Sequence, residues 1–72
     1  ELIMNISAFG KTVRRIRTEL ELTQAKFAKT LNVGQSYISK LENNAIEPTV
    51  NIMFNIMHKF NVPIEELLEN IE

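Results

Sequence analysis

The sequence predicts an all-α fold of five short helices in one domain. Apolar residues recur at spacings of three and four along most of the chain, and the breaks between these periodic segments are short and carry residues that start or stop helices. Length sets the third constraint: a 72-residue chain buries only ~60% of the surface its unfolded form exposes, so a single compact core is the ceiling. The 44% hydrophobic and 24% charged fractions, with two glycines and two prolines, leave little room for disorder or low complexity.

From Phe9, the apolar residues Val13, Ile16 and Leu20 follow at spacings of four, three and four, laying one stripe along a first helix and leaving Arg14, Arg15 and Thr18 outside it. Thr23 suits an N-cap for a second helix beginning at Gln24, with Phe27, Ala28 and Leu31 on its inner face. Asn32 stops that helix, because Asn tolerates the left-handed backbone of a helix C-terminus better than any residue but Gly. A tight turn runs through Val33. Gly34 then caps a third helix from Gln35 to Glu42, with Ile38 and Leu41 inward and Gln35, Ser36, Tyr37 and Lys40 outward. Asn43 to Pro48 is a loop, Thr49 caps a fourth helix to about Phe60, and Asn61 is a second left-handed stop. Pro63 suits the first turn of a short fifth helix, with Ile64, Leu67 and Leu68 facing the core and Glu65 and Glu66 near its positive end. No repeat, linker or second domain interrupts residues 1–72. Residues 1–7 read as an N-terminal arm; either Met4 is the native start and Glu1 to Ile3 a remnant, or the chain is a trimmed piece.

Composition excludes several function classes. Without cysteine there are no disulfides and no thiolate metal sites, which fits a reducing cytoplasm. The longest unbroken apolar runs are three residues, far below the ~20 needed to span a bilayer. His58 stands alone on a helix with no aspartate anywhere in the chain, so metal clusters and charge-relay arrangements lack parts. An enzyme, a metal site and a cofactor are therefore not expected, and His58 reads as a surface side chain. No aromatic stacking platform for RNA is present either. The net charge of −1 hides an asymmetry: residues 1–42 hold seven Lys and Arg against four acids, +3, whereas residues 43–72 hold one against five, −4. That distribution suggests a basic face and an acidic tail.

Two short helices joined by a tight turn can hold the second helix out from the body and present it to a groove. The geometry demands a small residue at the crossing, a left-handed turn residue and apolar locks around them. Ala28, Asn32, Phe27, Leu31, Val33, Ile38 and Leu41 meet these demands together, which marks residues 23–43 as a helix-turn-helix.

Leu22-Thr23-Gln24, Phe27-Ala28, Val33-Gly34-Gln35-Ser36, Ile38, Leu41-Glu42-Asn43 and Pro48 resemble the Cro and lambda-repressor family, also called Xre, over about Val13 to Leu68. The resemblance implies a five-helix lambda-repressor-like bundle whose third helix enters the DNA major groove. It further implies a transcriptional regulator, repressor-like, that binds a near-palindromic double-stranded operator as a homodimer. On that basis Gln35, Ser36, Tyr37 and Lys40 are the candidate base contacts, Gln35 through the N7 and N6 edge of an adenine. Gln24, Asn43, Lys26 and Arg14 are the candidate phosphate contacts, with Gln24 also bracing Gln35. Arg17 and Glu42 resemble a structural ion pair joining the first helix to the end of the third.

The chain also departs from the family pattern. Asn44 stands where Gly is common, and Ala45, Ile46 and Glu47 replace basic loop residues of some relatives. Leu2, Ile3, Met4 and Ile6 give an apolar amino-terminal segment in place of a lysine-rich arm. Backbone affinity then leans on Lys11, Arg14, Arg15, Lys26 and Lys29, and a modest salt dependence is expected. Val50, Ile52, Met53, Phe54, Ile56, Met57 and Phe60 give the fourth helix more apolar surface than one stripe needs, so dimerisation is expected, with Ile52, Leu68 and Ile71 as candidate interface residues. The rival class is a protein-interaction module, such as the antitoxin half of a toxin–antitoxin pair, which binds a partner protein as well as or instead of DNA.

Overall fold

The computed structural model describes residues 6–67, which form α1 (Ile6–Glu19), α2 (Gln24–Leu31), α3 (Gln35–Glu42), α4 (Val50–Phe60) and α5 (Ile64–Leu67). Among the described residues there is no strand. None of these helices is long and apolar enough to cross a membrane.

The helices start where side-chain acceptors stand ready. Thr23 Oγ1 accepts from Lys26 N at 3.1 Å ahead of α2, and Thr49 Oγ1 accepts from Ile52 N at 3.1 Å ahead of α4. Each hydroxyl satisfies one of the donors left over in the first helical turn. Gly34 begins α3 in an extended conformation with no side-chain bond. The helices end by a shared device. After α1, α2, α3 and α4 a single residue turns left-handed: Glu21, Asn32, Asn44 and Asn61, with φ between 55° and 62°. In each case the next N–H reaches back to a carbonyl five residues earlier, Leu22 to Arg17, Val33 to Ala28, Ala45 to Lys40 and Val62 to Met57. This Schellman pattern closes four helices with no glycine, and asparagine carries it three times because its short amide tolerates the left-handed region.

The core gathers Phe9, Val13 and Ile16 of α1, Phe27, Ala28 and Leu31 of α2, Ile38 and Leu41 of α3, and Ile52 and Ile56 of α4, with Val62 and Leu67 closing one end. The Phe27 and Phe60 rings stack with centroids 4.7 Å apart and planes 3° from parallel, tying α2 to α4. Two stripe expectations are corrected. Leu20 does not continue the α1 stripe: the helix ends at Glu19, the left-handed turn at Glu21 redirects the chain, and Leu22 packs on the core while Leu20 stays 41% exposed. Ile64 is 42% exposed, because Val62 and Leu67 occupy the inward positions on either side of it. Leu68, also expected inward, lies outside the described residues.

α1 passes very close to the end of α3, and Gly10 makes the approach possible. A Cβ at Gly10 would sit 2.5 Å from Asn44 Oδ1, 2.7 Å from the Glu42 carbonyl and 2.9 Å from the Leu41 carbonyl. The Gly10 N–H instead donates to Asn44 Oδ1 at 3.2 Å.

Candidate nucleic-acid interface

The turn between α2 and α3 is rigid for local reasons. Asn32 adopts φ 62°, ψ 41°, its N–H bonds back into α2, and Val33 packs against the core beyond it. With Phe27, Ala28 and Leu31 buried on one side and Ile38 and Leu41 on the other, the crossing of the two helices is locked. The outer face of α3 is then held clear of the body. Gln35, Ser36 and Lys40 are exposed on it, while Tyr37 is half-buried with its side chain packed against the core. Ser36 and Lys40 are four residues apart and share one row, the spacing at which helical side chains are neighbours. Lys26 is exposed in the first turn of α2.

The carboxyl end of α3 carries a denser arrangement. Glu42 closes the helix with its side chain fully buried, at 0% exposure. A carboxylate there is opposed both by desolvation and by the negative end of the helix dipole. Four donors offset this. Arg17 Nε donates to Glu42 Oε2 at 2.6 Å and Arg17 Nη2 to Oε1 at 3.1 Å; Gln24 Nε2 donates to Oε1 at 3.1 Å and Arg14 Nε to the same oxygen at 3.4 Å. Burial pushes the Glu42 carboxyl up, but the hydrogen bonds from Arg17 and Gln24, the Arg17 charge and the Arg14 bond outweigh it and hold the group below the ordinary carboxylate value. Arg17 Nη1 also donates to the Leu22 carbonyl at 2.9 Å, so this guanidinium is engaged at both ends.

The sequence reading brought Arg17 and Glu42 together, and they stand together in the structure. It did not foresee that Gln24 and Arg14 join them. Gln24 spends an amide N–H on Glu42, a link across the bundle, and no bond joins it to Gln35 among the described residues. Arg14 also donates from Nη2 to Asn43 Oδ1 at 3.2 Å, and Asn43 Nδ2 donates to the Ser39 carbonyl at 2.9 Å. Gly10 and Asn44 were missed as a contact; a lone glycine inside a helical stripe was the available signal.

The interface residues expected on α4 need correction. Ile52 is 3% exposed in the core, because the packing of α4 on the bundle turns that face inward. The apolar residues of α4 that face solvent are Val50 and Phe54, 60% and 48% exposed and one turn apart. Leu68 and Ile71 lie outside the described residues. His58 is exposed, and the described residues hold no group of three or more His, Cys, Asp or Glu suited to a metal ion.

A five-helix bundle that locks two short helices about a left-handed turn and shows the polar face of the second is a helix-turn-helix domain. The chain belongs to the helix-turn-helix family of the Cro and lambda-repressor type, which residues 13–67 match. It is similar to the HTH-type transcriptional regulator PrpR of Mycobacterium tuberculosis (strain ATCC 25618 / H37Rv), 36% identical over 53 residues that cover 74% of this chain and 11% of that protein. The chain thus spans about a tenth of that relative's length. No solved structure matches it.

Proposed function

We propose that the protein is a sequence-specific, double-stranded DNA-binding transcriptional regulator, repressor-like, that reads the major groove with α3. The observation that carries this reading is the exposed polar face of α3, Gln35, Ser36 and Lys40, projecting from a turn that the core holds rigid. A helix fits the major groove, where each base pair presents a distinct pattern of donors and acceptors. Gln35 can bond an adenine edge through both ends of its amide, Ser36 and Tyr37 reach neighbouring positions, and Lys40 serves a guanine or the backbone. Gln24, Asn43, Lys26 and Arg14 serve as phosphate contacts. The relative's printed role as a transcriptional regulator supports the same assignment.

In this reading the protein works in the cytoplasm as a homodimer on a near-palindromic operator, two recognition helices standing about one DNA turn apart. Val50 and Phe54, side by side in solvent, support self-association. Selection of bound sequences from a random duplex pool tests the reading. An enriched two-fold site is expected, and Gln35→Ala should then relax preference at one base pair per half-site by roughly 1 to 3 kcal/mol. A pool with no enriched site would refute sequence-specific binding.

A further inference from the structure

We infer that Glu42 is a positioning residue for the grip on the DNA backbone: its buried carboxylate pre-sets Arg14 and Gln24, two of the four proposed phosphate contacts, with Asn43 a third, tied to Arg14. The inference rests on the DNA-binding reading and adds to it a residue that never touches DNA.

Three features of the cluster support it. Two guanidinium groups, Arg14 and Arg17, face one carboxylate, which leaves one positive charge uncompensated. That charge resides at Arg14, because the Arg17 side chain is 14% exposed with donors spent on Glu42 and Leu22, whereas the Arg14 side chain is 51% exposed. Arg14 is also fixed in place. Its Nε is on Glu42 and its Nη2 on Asn43, whose own amide is tied to the Ser39 carbonyl at the last turn of α3. A guanidinium carries five N–H donors, so three remain, in the planar fork that matches a phosphate. Gln24 likewise keeps one amide N–H and its carbonyl after bonding Glu42. Long side chains held beforehand need not be ordered at binding, and this pre-organisation strengthens the contact they make. The cluster stands at the carboxyl end of α3, just past the residues proposed to read bases.

The sign of one substitution separates positioning from simple electrostatics. Glu42→Gln keeps the shape and removes a negative charge close to the DNA face, which on charge alone should tighten binding to a polyanion. Loss of positioning predicts the opposite, a weakening of roughly three- to tenfold. The probe is a random-sequence duplex of about 30 base pairs titrated between about 50 and 200 mM salt. Folding of each variant is checked by circular dichroism, and Arg14→Gln provides a second arm that does not depend on burial. Losing one phosphate contact lowers the slope of log affinity against log salt by about 0.9 per protomer, so the wild-type-to-variant affinity ratio should fall about 3.5-fold across that range. A merely structural role for Arg14 leaves the slope untouched.

Folded Glu42→Gln that binds as tightly as wild type or tighter, or Arg14→Gln with an unchanged slope, overturns the inference while the DNA-binding reading stands. Wild-type protein that leaves the duplex unbound at low salt overturns both.

Discussion

Replacing Glu42 with alanine removes the group on which α1, α2 and the end of α3 converge. The magnitude follows from what is left behind. Breaking a buried ion pair by deleting one partner costs about 3 to 5 kcal/mol, because the other charge remains desolvated. Of the two arginines, Arg14 is half in water and recovers hydration, so its loss counts little. Arg17, 14% exposed, keeps only the Leu22 carbonyl. The lower end of the range, about 3 kcal/mol, is therefore expected. A domain of this length has roughly 4 to 11 kcal/mol in total, at about 0.05 to 0.15 per residue, so the variant should be close to unfolding at 37 °C. Urea denaturation followed by circular dichroism measures the change directly, and the melting temperature should fall by roughly 12 to 24 °C. The acid limb gives an independent check. Glu42 is held below its ordinary value of 4.5, so the unfolded chain binds the proton more readily than the folded one. The stability it contributes is complete above about pH 4.5 and disappears as pH falls through the lowered folded value. Glu42→Gln should flatten the stability profile in that window. A Glu42→Ala unfolding free energy within about 0.5 kcal/mol of wild type would refute the claim that the cluster holds the fold.

Other substitutions probe the backbone. Gly10→Ala should destabilise by about 1 to 3 kcal/mol despite alanine's higher helix propensity, because two of the three atoms its Cβ would meet are backbone carbonyls that cannot swing aside; equal stability in urea would mean that α1 and α3 can part without cost. Glu21→Gly should raise stability by up to about 1 kcal/mol, since a left-handed glutamate costs about 1 to 2 kcal/mol that glycine avoids; a lower melting temperature would contradict this. Gly34→Ser should stabilise by about 0.5 kcal/mol, as position 34 is extended, its Cβ would approach only Ser36 Oγ, at 3.9 Å, and a hydroxyl would supply the cap that α3 lacks. A thermal melt that shows no gain would place the first turn of α3 outside cap control.

Glu21 and Asn44 show how far local signals reach. Asn32 and Asn61 could be read as left-handed stops because an asparagine followed each apolar stripe. Glutamate has no such preference, and at Glu21 the left-handed turn arises because Leu22 gains a place on the core that Leu20 does not. Asn44 stands where glycine is common in the family, and its backbone accepts the conformation glycine would have supplied. Its side chain then takes a second role, accepting from Gly10.

The order of the helices, the caps at Thr23, Asn32, Thr49 and Asn61 and the inward residues of α2 and α3 could be read from the chain itself, because each depends on interactions within about five residues: a hydroxyl over a helix start, an asparagine at its end, an apolar period of three and four. Apart from the Arg17–Glu42 pair that the family resemblance implied, tertiary structure decided what meets across the bundle. Gly10 against Asn44 spans 34 positions, Arg14 against Asn43 spans 29, and Gln24 against Glu42 spans 18. Such contacts have no periodic signature, since they depend on the angle at which packed helices cross. For the same reason Ile52 turned inward and Val50 and Phe54 outward: all three are apolar, and only the packing of α4 on its neighbours chose among them.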